Sequence, residues 1–245
     1  MIKILHIYHD LMSLYGDWAN AEVLALEFKA RGADVSTDKK TIGDEMNLDE
    51  YDFLYIGSGT ERSLIACLSD VMKYKSALIK RIEDGMYILA TGNSHEIFGM
   101  TVEDNKGIKH DALGILNFET VQGPGRVTGD CICEASFLEE KLVGFINRAS
   151  IGQTADFKRP FDVKLGPGAS DASGANGKTE AIKYKNLLGT YLTGPLLVRN
   201  PPLLRYLANE IMGKSARNCA NPFFAFQEDA YKKALMELSN RIGEK

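Results

Sequence analysis

A five-residue run, Gly92-Asn-Ser-His-Glu96, places a hydroxyl, an imidazole and a carboxyl side by side directly after an apolar stretch. These are the side chains of a hydrolase, with Ser94 as nucleophile, His95 as base and Glu96 as orienting acid. Adjacent residues at a helix start point in different directions, which disfavours a Ser94–His95 hydrogen bond. Two other interpretations compete with a rebuilt hydrolase site: Asn93 or Ser94 caps the helix, or the exposed helix N-terminus binds an anion or carboxylate.

A glycine-rich turn, Gly57-Ser58-Gly59, precedes Thr60, Glu61 and Arg62. Its backbone N–H groups could bind a ligand, and Arg62 could add a contact to a carboxylate or phosphate. The same glycines could equally serve only to reverse the chain between a strand and a helix.

Short polar residues follow the first apolar run: His9, Asp10, Tyr15 and Asp17. Asp17 is the most plausible polar anchor for a ligand among them, although such residues are also ordinary loop components. Arg148 could supply a positive charge to the same pocket or lie exposed.

No cofactor or metal site is predicted. Lys178-Thr179 follows a glycine-rich stretch but lacks the G-x-x-x-x-G-K-[ST] spacing after an apolar strand. The cysteines and histidines form no cluster with metal-ligand spacing.

The bulk composition favours an ordinary globular protein. Of the 245 residues, 44% are hydrophobic and 25% charged, and the net charge of -4 comes without long runs of one sign, so nucleic acid is not an expected partner. The N-terminus resembles a first strand more than a signal peptide, and no apolar run reaches the roughly 18 residues of a membrane span. The four cysteines are too sparse for a disulfide framework, which favours the cytoplasm.

The first hundred residues predict βαβ units and a parallel sheet. Apolar runs alternate with helical patterns: strands at Ile2-Tyr8, Phe53-Ile56 and Tyr87-Ala90, and helices at Ala19-Arg31 and about Ser63-Asp84. Ligand sites gather at the carboxyl ends of parallel strands, so the turns after the three strands should meet in space.

The second half predicts short strands that continue this sheet, at Leu116-Val121, Val127-Cys133, Leu142-Asn147 and Ile182-Tyr184. Lys164-Lys178 holds four glycines and predicts a mobile surface loop. Helices are expected at Pro202-Met212 and Phe223-Ile242.

Several segments resemble the class I glutamine amidotransferase domains of the cobyric acid synthase type, and among them the glutaminase subunit of lipid II isoglutaminyl synthase. Asp10-Leu-Met-Ser-Leu-Tyr-Gly-Asp-Trp-Ala-Asn20 resembles D-L-x-x-x-Y-G-D-x-x-N, and Gly57 to Arg62 occupies the place of the oxyanion turn. Gly114 to Thr120 resembles G-L-L-x-F-x-T, Gly144 to Asn147 resembles G-F-E-N, and Gly189 to Leu197 followed by Asn200-Pro201 resembles G-T-Y-L-H-G-P-L-L and N-P. The resemblance implies a three-layer αβα, flavodoxin-like fold with a mostly parallel central sheet. It also implies one domain over residues 1–245, with core motifs at 8–207 and C-terminal helices at 202–242.

The chain departs from this family at both catalytic positions. The family's C-G-G-Y-Q-L-L-G places the nucleophilic cysteine at Gly92, and its L-H-G-P places the histidine base at Thr193. All four histidines precede residue 111, and Cys67, Cys131, Cys133 and Cys219 are not predicted to lie on the elbow. The resemblance therefore predicts loss of cysteine-dependent glutaminase activity.

Three functional hypotheses remain open from the sequence. The first is a catalytically degenerate subunit that binds a small carboxylate or amide ligand, or regulates an ATP-dependent Mur-ligase-like partner of the kind that amidates lipid II in the related system. The second is a hydrolase rebuilt around Ser94, His95 and Glu96, or around His9 and Asp17. The third is an active amidotransferase whose nucleophile is misaligned.

Overall fold

The computed structural model of the chain describes residues 1–155, 158–169, 177–213 and 224–243. The helices are α1 (Ala19–Ala30), α2 (Glu61–Val71), α3 (Lys75–Glu83), α4 (Leu196–Arg199), α5 (Pro201–Met212) and α6 (Ala225–Gly243). The strands of the first half are β1 (Ile2–Ile7), β2 (Val35–Lys40), β3 (Phe53–Ile56), β4 (Tyr87–Thr91), β5 (Thr101–Glu103) and β6 (Lys109–Asp111). Those of the second half are β7 (Phe118–Ala135), β8 (Leu142–Ala155), β9 (Phe161–Leu165), β10 (Thr179–Glu180), β11 (Ile182–Tyr184), β12 (Leu187–Thr190) and β13 (Leu192–Thr193).

A six-stranded central sheet has the order β11-β12-β4-β3-β1-β2, and only β11 runs antiparallel to its neighbour. Alternate strand residues face opposite sides. Leu5, Leu54 and Ile88 pack with α2 and α3, while Ile4 and Tyr55 pack with α1 and α5. This arrangement confirms the predicted three-layer αβα architecture with a mostly parallel sheet.

The expected continuation of the central sheet through the middle of the chain is wrong. Strands β5 to β10 and β13 form a second, mostly antiparallel sheet, in which the long β7 and β8 are paired; only β11 and β12 return to the first. A parallel continuation requires a crossover of a dozen or more residues, usually helical. The chain after β4 instead has a short 3₁₀ helix, Gly92–Phe98, and then the β5–β6 hairpin.

Smaller departures have local causes. Strand β2 was not predicted because its sequence, VSTDKK, is polar, as suits an exposed sheet edge. The predicted helix over 63–84 is two helices separated by a 3₁₀ turn at Met72–Tyr74. The predicted loop at Lys164-Lys178 begins inside β9, and its residues 170–176 lie outside the described part of the chain.

Candidate functional site

The loops after β1, β3 and β4 meet at one edge of the central sheet, as predicted from the parallel strands. Tyr55, on β3, links them: its hydroxyl donates to the Asp17 backbone oxygen at 2.8 Å and accepts from Asn20 Nδ2 at 2.8 Å. Thr91 Oγ1, at the end of β4, lies 2.8 Å from the same hydroxyl. These contacts fix the three loops relative to one another.

The backbone at Gly92 keeps the sharp turn expected of a nucleophile elbow, but no side chain fits there. Gly92 has φ +64°, in the left-handed region that favours glycine. A Cβ atom at this position would lie 2.2 Å from Ser58 Cβ and 3.2 Å from Thr193 Cγ2. We call the region formed by Gly92, Ser58 and Thr193 the elbow crevice; it is filled by its own side chains.

Thr193 occupies the base position of the related enzymes and is buried. Its hydroxyl donates to the Phe145 backbone oxygen at 3.0 Å, across the β13–β8 pair. A threonine hydroxyl does not accept a proton at neutral pH, and this one is engaged in holding two strands together.

The backbone N–H groups of the glycine-rich turn are already paired within the protein. Ser58 N donates to Asp17 Oδ2 at 2.9 Å, and Gly59 N donates to Asn93 Oδ1 at 3.0 Å. A Cβ at Gly57 would lie 2.3 Å from the Met12 backbone oxygen, so this glycine is required for close approach of the first loop. The turn therefore binds neighbouring loops with the groups that an oxyanion site would offer to substrate.

Asp17 is fully buried and connects all three loops with the chain before α4. Besides Ser58 N, its carboxylate accepts from Thr91 Oγ1 at 2.8 Å and from Gly194 N at 3.4 Å. Burial raises its pKa, while these hydrogen bonds act in the opposite direction.

Ser94, His95 and Glu96 are all buried, and each is bonded elsewhere. Ser94 Oγ donates to the backbone oxygens of Thr91 and Ile56 at 2.8 and 3.0 Å. His95 Nδ1 lies 2.8 Å from the Gly92 oxygen, and burial lowers the His95 pKa to about 3. The three side chains therefore do not form the hydrogen-bonded relay that a hydrolase needs.

The capping interpretation is also wrong. Thr91 holds the N-cap position of the 3₁₀ helix, without a side-chain cap hydrogen bond. Ser94 acts as a donor to carbonyls, and the oxygen of Asn93 accepts from the glycine-rich turn instead of from the helix.

The two predicted arginines lie in different environments. Arg62 is exposed in the first turn of α2, whereas Arg148 is 1% exposed. Arg148 Nη2 donates to the Gly168 oxygen at 3.0 Å, and its guanidinium carbon lies 5.4 Å from the Tyr191 ring centroid. Arg148 thus carries a buried charge and is not the exposed arginine that the sequence also allowed. The ligand-binding role assigned to the predicted site residues stays a prediction.

One cluster at the mouth of the site was not predicted. Arg126 donates to Glu61 Oε1 at 2.7 Å and to Asn147, and Asn147 Nδ2 donates to the Tyr15 hydroxyl at 2.8 Å. Tyr15 itself has φ +61°, a strained backbone for a non-glycine residue. These residues come from four separate segments, so no sequence spacing could have joined them.

The described cysteines are not activated thiols. Burial raises the pKa of both Cys67 and Cys131 to about 12 and raises that of Cys133 further. Cys219 lies outside the described residues. Within the described ranges no group of three metal-ligating side chains occurs, and no helix there is long and apolar enough to span a bilayer.

Comparisons with known proteins agree with this fold and these loops. The chain is 34% identical over 246 residues to the lipid II isoglutaminyl synthase (glutamine-hydrolyzing) subunit GatD of Staphylococcus aureus strain N315, covering 98% of this chain and 97% of that protein. It is 28% identical over 219 residues to the subunit of the same name from Streptococcus pneumoniae strain R6, covering 87% and 81%. A crystal structure of a glutamine amidotransferase superposes with a TM-score of 0.55 at 15% identity, covering 85% of this chain and 98% of that one. A glutamine amidotransferase from Thermotoga maritima superposes with a TM-score of 0.50 at 14% identity, covering 100% and 99%. Residues 3–201 match the CobB/CobQ-like glutamine amidotransferase domain, and the chain belongs to that family.

Proposed function

We propose that this chain is a glutamine amidotransferase-like subunit without cysteine-dependent glutaminase activity. In this proposal it binds a small carboxylate or amide ligand, and regulates an ATP-dependent, Mur-ligase-like partner subunit.

One observation carries the loss of activity: the space for a nucleophile side chain at the elbow is filled. The 2.2 Å approach of Ser58 Cβ to a Cβ at Gly92 is far inside van der Waals contact. Attack on an amide carbon requires a side-chain nucleophile next to a base, and the elbow crevice offers neither.

The proposed ligand site lies at the rim of the elbow crevice. Asn93 Nδ2 has no hydrogen-bond partner among the described atoms, so it can donate to a carboxylate or amide oxygen. The exposed Arg62 can add a charge-assisted contact. The Asn93 oxygen already accepts from Gly59 N, which leaves the buried amide nitrogen as the hydrogen-bonding group of this side chain that is unused within the described part of the chain.

The proposed partner is supported by the two GatD relatives, which are subunits of a synthase. The chain spans 97% of the S. aureus relative, so it retains nearly all of the length available for subunit contacts.

Covalent labelling tests the catalytic part of this proposal. Purified chain incubated with diazo-oxo-norleucine, a glutamine analogue that alkylates the catalytic cysteine of amidotransferases, should gain no mass. A stoichiometric adduct on any cysteine would contradict the proposal and revive an active amidotransferase with a misaligned nucleophile.

Thermal-shift titration with glutamine and glutamate tests the ligand site. We expect Asn93→Asp to abolish a ligand-induced rise in Tm, because it keeps the oxygen that holds Gly59 and replaces the donor. Asn209→Asp, on α5, is the matched control. Equal Tm shifts in wild type and Asn93→Asp would refute the assigned ligand site. If a Mur-ligase-like subunit expressed together with the chain does not copurify with it, the proposed partner is refuted.

A further inference from the structure

A second polar region lies behind the elbow, between the 3₁₀ helix and the second sheet. It is lined by Glu96, Thr120, Gln122, Ser150 and Tyr191, and we call it the inter-sheet polar cell. All five side chains are 5% exposed or less.

The pairing of strands brings these residues together. Phe118, Thr120 and Gln122 alternate along β7 and therefore share one face. Phe118 packs against Gly99 and lies 6.4 Å from His95 between ring centroids, so this face is directed at the 3₁₀ helix. Gln122 pairs with Ser150 on β8, and the Ser150 hydroxyl donates to Glu96.

Only one oxygen of the Glu96 carboxyl is used by these neighbours. Oε1 accepts from Ser150 Oγ and from the Tyr191 hydroxyl, the latter at 2.9 Å. Glu96 Oε2, Thr120 Oγ1 and Gln122 Nε2 are buried and have no hydrogen-bond partner among the described atoms. Each such group costs about 1–3 kcal/mol if left unpaired, so the two groups from β7 and the one from the 3₁₀ helix that faces it require a partner.

We propose that the inter-sheet polar cell binds an internal water molecule, bridging Glu96 Oε2 to Thr120 Oγ1 and Gln122 Nε2. Water fits the donor and acceptor set because it can accept from the Gln122 amide and exchange hydrogen bonds with the carboxyl and the hydroxyl. Internal waters typically make about three such bonds to otherwise unpaired groups.

The protonation state of Glu96 is consistent with a bound water molecule. Burial raises the Glu96 pKa to about 7, against smaller opposing contributions from Ser150, Tyr191 and the Arg148 charge. A protonated carboxyl supplies a donor at Oε2 to a water that already accepts from Gln122.

Water–amide cross-relaxation in ¹⁵N-labelled protein tests the site. We expect the Gln122 side-chain amide, assigned by its loss in Gln122→Met, to show a cross-peak to water with the sign of a long-lived complex. The Gln227 side-chain amide is the matched control, because its Nε2 donates to the Leu197 and Val198 oxygens at 2.9 and 2.7 Å. A missing Gln122 peak, or one no stronger than that of Gln227, would overturn the proposal.

A conservative variant provides a second measurement. Thr120→Val removes one water partner without changing side-chain volume, and the Gln122 cross-peak should be lost or weakened. Thr128→Val changes an exposed residue on the same strand and should leave the peak unchanged. An unaltered peak in Thr120→Val would contradict the proposed bridge.

Discussion

The elbow crevice and the inter-sheet polar cell are both next to the 3₁₀ helix that follows β4. They differ in whether their polar groups have hydrogen-bond partners. At the crevice the polar groups bond to neighbouring loops: the Asp17 carboxylate accepts from Ser58 N and Thr91 Oγ1, and Gly59 N donates to Asn93 Oδ1. In the polar cell, Glu96 Oε2, Thr120 Oγ1 and Gln122 Nε2 are unpaired among the described atoms. The surface expected to face substrate is packed against its own loops and, among the described residues, keeps one unpaired donor at its rim, Asn93 Nδ2, whereas three unpaired groups lie behind it.

Gly92→Cys should produce the largest effect, because it forces a side chain into the filled crevice. A left-handed non-glycine backbone costs about 1–2 kcal/mol and overpacking about 1–3 kcal/mol, giving a loss of about 2–5 kcal/mol. Thermal denaturation should show Tm lowered by roughly 5–15 °C at this chain length.

Two variants separate these causes. Adding Ser58→Gly to Gly92→Cys should restore the part of the stability that was lost to overpacking, since the 2.2 Å contact is with Ser58 Cβ. Gly125→Cys, where nothing lies within 4 Å of the new Cβ, should be close to neutral. A Gly92→Cys protein as stable as wild type would show that the crevice is open.

Glu96→Gln tests the polar cell through the pH dependence of stability. The folded pKa of about 7 lies above the unfolded value of 4.5, so the stability that Glu96 contributes is fully present below pH 4.5 and is lost as pH rises to about 7. The variant should gain on the order of 3 kcal/mol over wild type at pH 8 and little at pH 4. Urea denaturation at both pH values measures this difference.

The exposed Glu119→Gln, on β7, is the control for Glu96→Gln and should leave the pH profile unchanged. An equal change in stability at both pH values in Glu96→Gln would mean that the folded pKa of Glu96 is not raised above its unfolded value.

His6→Leu tests a buried polar group on β1 of the central sheet. His6 is buried against Tyr55, with ring centroids 5.0 Å apart, and both ring nitrogens lack a hydrogen-bond partner among the described atoms. Burial, helped by the nearby His9 and Lys39, lowers its pKa from 6.5 to about 4. The contribution of neutral His6 to the free energy of unfolding is therefore present above pH 6.5 and is lost as pH falls toward 4.

The wild type should lose about 2 kcal/mol at pH 5 through this histidine, and His6→Leu should remove that loss. Thr128→Val, at an exposed position on β7, serves as the control. If the two variants have the same acid profile, His6 is not the buried neutral group.

The position of the site could be predicted from the sequence, but the packing and hydrogen bonding of its residues could not. Gly92 and Thr193 could be located because the surrounding motifs are local and ordered along the chain. The filling of the crevice could not be predicted, because Ser58 reaches Gly92 only through the packing of two loops. The burial of Asp17 depends in the same way on contacts to Ser58, Thr91 and Gly194, which lie far apart in sequence.

The fold shows the same division. The parallel strands β1, β3 and β4 were predicted from short apolar runs, because strands buried on both faces are continuously apolar. The second sheet was missed because β7 exposes residues in its middle and both β7 and β8 contain glycines, so neither strand shows a continuous apolar pattern, and their pairing is a long-range property.

Glutamine hydrolysis tests the central claim most directly. Glutamate release would be measured for the purified chain, alone and with the proposed Mur-ligase-like partner, beside Cys67→Ser, Cys131→Ser, Cys133→Ser and Cys219→Ser. We predict that wild type and all four variants release glutamate no faster than buffer. Release by the wild type that one cysteine substitution abolishes would contradict the account.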